Sequence, residues 1–503
     1  MQTATHLLHG PTSPRRLTVL RPRTKKKRRR VSAESAPAPP SRDFTSKLLI
    51  VLGLACVTAG FLAFVEETEA MLLSLQGHSM GRIVLTLGQL FLAINILALL
   101  WRVGLFLRYR PCESCADDEL PRCSVVVPAY NEGRQVLETL RSLAASDYPA
   151  DRLSIVAVDD GSVDDTWQWI RLAAEELPAL VTPVRLPTNR GKRQALHEGF
   201  KQSSGDVLVT VDSDSTVEAQ TLRRLVSPFV RNPQVGAVAG NVRVLNRRAG
   251  IIPKMLDVVF LFSFDFIRAG QSVVNAVMCT PGALSAYRRD ILSRVLDEWL
   301  RQTFCGRPAA IGEDRAMTNL ILREGYHVVF QQDAMVYTTV PTRYRNLCRM
   351  FLRWARSNVR ETIVMSTFVF RRFRKGSMIG ARINLLLQWM GLTKSQMALL
   401  LTAACLAVHP AIIGINCLFS IALASNLIAG LYAWRCRSSD ALWGYAYGLF
   451  WCVALTWITP YALLTPHRSA WLTRQKRPVP QTCWLRRLPK SRFPEKLRLG
   501  LHA

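Results

Sequence analysis

Two uncharged apolar runs near the N-terminus set the first limit on this 503-residue chain. Residues 48–65 and 83–101 each come to roughly the 18–20 residues that cross a hydrocarbon core as a helix. Two further apolar blocks lie at 396–434 and 441–464, and His409 is the one ionisable group in the first of them. The chain is 49% hydrophobic, yet its formal net charge is +29. That combination suits a membrane protein with basic cytoplasmic segments and argues against a soluble nucleic-acid binder. The run RTKKKRRR stands shortly before the first apolar stretch and reads as a cytoplasmic anchor, not a nuclear-localisation patch. The tail 1–43 is expected to be disordered.

The Lys/Arg bias also gives an orientation. A basic tail precedes the first run, and Arg102, Arg108 and Arg110 follow the second. Two crossings return the chain to the cytoplasm, and the polar block from about 112 onward lies there. Twelve cysteines without a disulfide pattern agree with a reducing compartment. Cys112 and Cys115 form a CxxC, but no fourth ligand stands at zinc-site spacing.

The polar block alternates between strands and helices. Short β-branched runs at 124–127, 153–158 and 207–211 are each followed by a helical pattern, which predicts a parallel-rich α/β sheet. Ligands of such sheets bind beyond the carboxyl ends of the strands. Three polar clusters fall at those ends: PAYNE, DDGS and DSDS. Tyr130 offers an aromatic face for a base. Asn131, Glu132 and Asp160 offer groups for base edges or ribose hydroxyls. Lys192 and Arg193 follow Gly191 at a predicted helix start, where cations and free amides suit a pyrophosphate. Asp212 and Asp214 repel each other unless a cation lies between them, and as hard oxygen donors they suit Mg²⁺ or Mn²⁺.

With these motifs in order, the chain resembles the processive family 2 glycosyltransferases of the hyaluronan synthase and chitin synthase group. The shared stretches are VVVPAYNE, VDDGS, NRGKRQAL, VDSDS, CTPGALSAYRR, GEDRAMTN, VPTRYRNLCRMFLRW and WLTR. The resemblance implies a GT-A fold joined to an α-helical transmembrane region. It implies UDP-sugar donors, a growing polysaccharide acceptor, a lipid bilayer around the helices and a Mg²⁺ or Mn²⁺ cofactor; no nucleic acid is expected as a partner. Hyaluronan synthase, using UDP-GlcNAc and UDP-glucuronate, is the leading reading. Chitin or chitin-oligosaccharide synthase, or a mannuronan or glucan synthase, is the alternative. The expected location is the plasma (inner) membrane, multi-pass, with the catalytic domain cytoplasmic.

Carried over residue by residue, the resemblance puts Tyr130, Glu132 and Asp160 at the nucleoside and Lys192 at the phosphates. Asp214 becomes the main metal ligand, supported by Asp212, which also serves the donor. Cys279 and Gly282 face the acceptor, and Asp314 of GEDR becomes the catalytic base. Arg353 and Trp354 match the RW of QxxRW, with Trp354 between donor and acceptor. Arg474 of WLTR reaches the diphosphate. Met350 stands where the family places glutamine. The expected order is a basic tail at 1–43, two transmembrane helices at 44–110 and a GT-A domain at 112–340. Interfacial amphipathic helices at 341–395, further spans at 396–465 and a basic tail at 466–503 complete it. Arg349, Arg353, Arg356 and Arg360 recur at helical spacing, and the last two are expected to meet lipid headgroups.

Overall fold

The computed structural model describes residues 44–406 and 410–468. The tail expected to be disordered, His409, and Arg474 with its WLTR segment lie outside the described residues.

Three helices open the described chain: α1 (Phe44–Ala63), α2 (Val65–Gln76) and α3 (Ser79–Arg108). The chain then enters a mixed sheet. Its first half is β1 (Cys123–Ala129), α4 (Gln135–Ala144), β2 (Leu153–Asp159), α5 (Thr166–Glu176), β3 (Val181–Arg185), α6 (Lys192–Gln202) and β4 (Val207–Val211). These strands pair in parallel, β3 with β2, β2 with β1 and β1 with β4. The β-branched runs read from the sequence are these strands, and they are buried almost throughout because helices cover the sheet. Val136, Leu140 and Leu143 of α4 are all buried, as their spacing predicts.

The second half departs from simple alternation. A short β5 (Ser215–Val217) and α7 (Thr221–Arg231) lead to β6 (Val235–Val244), α8 (Ile251–Leu261), α9 (Ala269–Val273) and β7 (Leu284–Arg288). Next come α10 (Arg289–Leu300), a small hairpin of β8 (Thr303–Phe304) and β9 (Arg307–Pro308), α11 (Glu313–Arg323) and β10 (His327–Thr338). Strand β7 inserts antiparallel between β4 and β6, β10 runs parallel to β6, and β5 caps the far edge antiparallel to β10. The sheet order is β3-β2-β1-β4-β7-β6-β10-β5. Because β7 begins where β4 ends, with Leu284 opposite Val211, the loop before β7 is carried to the carboxyl end of β4.

Helix α12 (Tyr344–Ser366) carries RW, and α13 (Ile379–Leu406), α14 (Pro410–Cys436), α15 (Trp443–Phe450) and α16 (Ile458–Leu464) follow. Helices α3 and α14 are long and apolar enough to cross a membrane. Two bent pairs raise the number to four if each is one crossing: Ile50–Gly60 with Val65–Gln76 at 51°, and Ser439–Leu455 with Ile458–Leu464 at 45°. Helix α13 is not among them, since Lys394 and Gln396 interrupt its apolar run.

The arginine stripe of α12 requires a correction. Arg356 and Arg360 do not reach lipid headgroups; they are 3% and 1% exposed. Arg356 donates to Thr465 Oγ1 at 3.1 Å and stacks on Tyr461. Arg360 donates to Ile311 O and, at 3.0 Å, to Glu361. Burial of a guanidinium demands such partners, and Glu361 supplies one that the helical spacing of the arginines did not reveal.

Candidate functional site

The polar clusters at the carboxyl ends of β1 and β2 are tied together by hydrogen bonds. Asn131, in a left-handed conformation at φ 53°, accepts from the Val163 amide at 3.0 Å and donates its own amide to Ser162 Oγ at 3.0 Å. The Glu132 and Gly133 amides both donate to Thr166 Oγ1 at 2.8 Å. Asp164 Oδ1 accepts from the Thr166 amide at 3.0 Å and so supports the start of α5. Tyr130 and Glu132 sit half-buried on this ledge.

Asp160, expected at the nucleoside, is tied to the neighbouring loop. Its two oxygens accept the Arg190 and Gly191 amides at 2.8 Å each, and the residue is 2% exposed. The carboxylate fixes the loop before α6 instead of facing outward. Burial pushes its pKa above the usual aspartate range, against the pull of those two amides. Arg193 is also corrected: it does not point toward a pyrophosphate. It is 7% exposed, stacks on Trp299 and donates to Trp299 O at 2.5 Å. Burial lowers its pKa to about 10.

Lys192 forms the centre of the site. Its Nζ bonds Asp212 Oδ1 and lies 3.4 Å from Glu313 Oε1. Burial works against the charged amine, but Asp212 and Glu313 outweigh it and hold the lysine well above its ordinary range. Asp212 and Asp214 stand in the tight turn between β4 and β5, closed by the Ser215 amide donating to Asp212 O at 3.1 Å. Asp214 Oδ1 accepts from Ser215 and Thr338 at 3.3 Å each, and its main-chain carbonyl accepts from Gln135. The counter-charge on Asp212 is thus a lysine twenty positions earlier in the chain.

Among the described residues, no three His, Cys, Asp or Glu side chains form a metal cage. Two aspartates in one turn still fit Mg²⁺ or Mn²⁺, which bind through one or two carboxylates and take their remaining oxygens from substrate phosphates and water. Gly282 leaves the room: a Cβ there would come 2.7 Å from Lys192 Nζ and 3.8 Å from Asp212 Oδ2. Gly282, expected to face the acceptor, stands beside Lys192 and Asp212.

Asp314 lies at the first turn of α11, behind Gly312 in the left-handed region at φ 72°. Its Oδ1 accepts the Arg315 amide at 2.7 Å, and its Oδ2 lies 3.6 Å from Cys279 Sγ. Burial, then the adjacent Glu313, raises its pKa above the usual range. Glu313 goes the other way. Burial opposes its charge, but Lys192, then Arg353 and Arg193, hold it low. The Arg353 charge pulls on both carboxylates, which places RW beside the same pocket. Burial and Asp314 push the Cys279 thiol up to about 12, so the thiol stays protonated at neutral pH. Trp354 lies against Phe260 and Phe351 with 39% of its surface exposed.

The structure therefore gathers Lys192, Gly282, Glu313 and Asp314 around one cavity, whose wall includes Thr210, Tyr287 and Met317, with Asp212 bonded to Lys192 beside it. Glu313 is the member that sequence reasoning missed. Its place in GEDR was visible, but its ion pair with Lys192 spans 121 positions and needs the folded sheet.

Comparison with known proteins gives the family and the fold. Residues 121–357 match the sequence pattern of the family described as "Glycosyltransferase like family 2". An N-acetylglucosaminyltransferase of Rhizobium meliloti (strain 1021) is 33% identical over 363 residues, covering 71% of this chain and 83% of that protein. An N-acetylglucosaminyltransferase of Rhizobium sp. (strain N33) is 31% identical over 370 residues, covering 72% and 79%. A mannosyltransferase from Pyrobaculum calidifontis, solved with GDP-Man and Mn²⁺, superposes with a TM-score of 0.53 at 25% identity, covering 73% of this chain and 98% of that one. The sheet is that of a GT-A-like fold. The chain belongs to glycosyltransferase family 2.

Proposed function

We propose that this glycosyltransferase is a membrane-bound N-acetylglucosaminyltransferase that links N-acetylglucosamine units from UDP-GlcNAc into a chitin-type oligomer or polymer. The observation that carries this reading is the likeness to N-acetylglucosaminyltransferases along most of both chains. It favours the chitin-oligosaccharide alternative over the hyaluronan synthase read first from the motifs.

Asp314 serves as the base in this reading. It takes the proton of the acceptor hydroxyl as the oxygen bonds to the anomeric carbon from the face opposite the nucleotide. The bond from that carbon to the phosphate oxygen breaks, and its electron pair leaves with UDP. Lys192 meets the charge that grows on the diphosphate. Asp212 and Asp214 would hold Mg²⁺ or Mn²⁺, which supplies further neutralisation of the diphosphate when bound. Tyr130 and Glu132 receive the nucleoside, Asp160 holds the adjacent loop, and Cys279 and Trp354 border the acceptor. Arg353 steadies the negative side of the pocket, and Arg474, outside the described residues, is assigned to the diphosphate by the motif alone. The apolar helices and the Lys/Arg bias support a catalytic domain on the cytoplasmic face of a plasma (inner) membrane. Four crossings would return the C-terminal segment to that face.

The test is to incubate the purified protein in nanodiscs with labelled UDP-GlcNAc, UDP-glucuronate or both. The expected result is a chitinase-sensitive product from UDP-GlcNAc alone. A product that needs both donors and yields to hyaluronidase would restore hyaluronan synthase. Transfer from neither donor would remove both readings.

A further inference from the structure

Lys192 occupies the place where the proposed cation must act. Its ammonium is bonded to Asp212 Oδ1, and its side chain is 15% exposed. A second carboxylate, Glu313, waits 3.4 Å away on the other side. Gly282 keeps the space above the pair open, since any Cβ there would press on the amine at 2.7 Å. An ammonium and a divalent cation repel each other strongly in a partly desolvated pocket. Both cannot sit on one carboxylate at close range unless further negative charge arrives.

We propose that Lys192 is a resident counter-ion which a divalent cation must displace from Asp212, with Glu313 as the carboxylate that retains it. The cation then binds well only with the donor, whose diphosphate supplies the missing charge and a new partner for the amine. By linkage, the cation strengthens nucleotide binding by the same factor as the nucleotide strengthens cation binding. Metal and nucleotide thereby share one entry. This inference rests on the reading that Asp212 and Asp214 hold the cation.

The test measures Mn²⁺ binding directly, by the electron paramagnetic resonance signal of free Mn²⁺, on the full chain in nanodiscs with and without UDP. The parent should bind Mn²⁺ weakly alone and about tenfold or more tightly with UDP. Lys192→Gln should bind Mn²⁺ alone at least about fivefold tighter than the parent and lose most of the UDP enhancement. Glu313→Gln, which removes the second anchor and leaves Lys192 more firmly on Asp212, should weaken binding of Mn²⁺ alone. If Lys192→Gln does not purify as a folded protein, the Glu313→Gln result decides with its opposite sign. Folded Lys192→Gln that binds Mn²⁺ alone no better than the parent overturns the inference. Asp214→Asn separates the two layers. If it abolishes Mn²⁺ binding while Lys192→Gln is neutral, the cation site stands and the counter-ion idea falls. If it leaves Mn²⁺ binding intact, the cation is held elsewhere and both fall.

Discussion

Gly312 packs so closely against Ser357 that a methyl group added to it would fall 1.8 Å from Ser357 Oγ. The contact joins the start of α11 to the middle of α12. Gly312 also has φ 72°, a conformation that side chains disfavour. Two residues later stands Asp314, so this one glycine fixes how the GED segment meets the RW helix.

Gly312→Ala is therefore expected to be severe. The left-handed backbone costs about 1–2 kcal/mol, and overpacking against Ser357 adds about 1–3 kcal/mol. Synthesis should fall sharply and the melting temperature of the solubilised protein should drop. Adding Ser357→Gly should recover part of the lost stability by relieving the clash, but not the backbone strain. Melting curves of the single and double variants check this.

Asp314→Asn keeps the size of the side chain and an oxygen that can accept from the Arg315 amide. Polymer synthesis should nonetheless be nearly lost, while UDP affinity by calorimetry stays within a few-fold of the parent. Near-normal synthesis would end the assignment of Asp314 as the base.

The pH dependence follows from the same carboxyl. Its pKa is raised, first by burial and then by Glu313. The base works only when unprotonated, so kcat/KM should be full above that raised value and fall as the pH drops through it. Glu313→Gln removes one of the two raising causes, and the acid limb should move to lower pH. A limb that stays in place in Glu313→Gln, or moves upward, contradicts this account.

Asp214→Asn removes one of the two carboxylates proposed for the cation. Activity should fall by orders of magnitude, and added Mn²⁺ should not restore it fully. Excess EDTA should silence the parent, with recovery on adding Mg²⁺ or Mn²⁺. Undiminished turnover in EDTA would refute the metal role.

Glu361 is fully buried and accepts from Arg360 at 3.0 Å, Asn319 at 3.0 Å and Gln302 at 3.1 Å. Glu361→Ala would strand the buried Arg360 charge and should cost about 3–5 kcal/mol. Because this network joins α11 to α12, activity and thermal stability should fall together. A melting temperature equal to that of the parent would show that the network contributes little.

The sequence by itself determined the parts whose cause is local. Apolar runs of spanning length marked α3 and α14, because a hydrocarbon core demands them. β-branched runs marked β1, β2 and β4, and the polar clusters after them fall at the carboxyl ends of those strands, the edge at which parallel sheets receive ligands. The family resemblance located GEDR and RW. Tertiary structure alone decided what each charge faces. Lys192 meets Asp212 and Glu313 because the fold brings the starts of α6 and α11 to the carboxyl end of β4, and β7, inserted antiparallel between β4 and β6, carries the CTPG loop to that same end. Arg193 read as a cation for a pyrophosphate and Arg356 and Arg360 as cations for lipid headgroups, yet they are buried on Trp299, Thr465 and Glu361. Periodicity tells which residues share a helix face. The burial of that face, and the partner that neutralises a charge on it, are set by contacts between residues far apart in the chain.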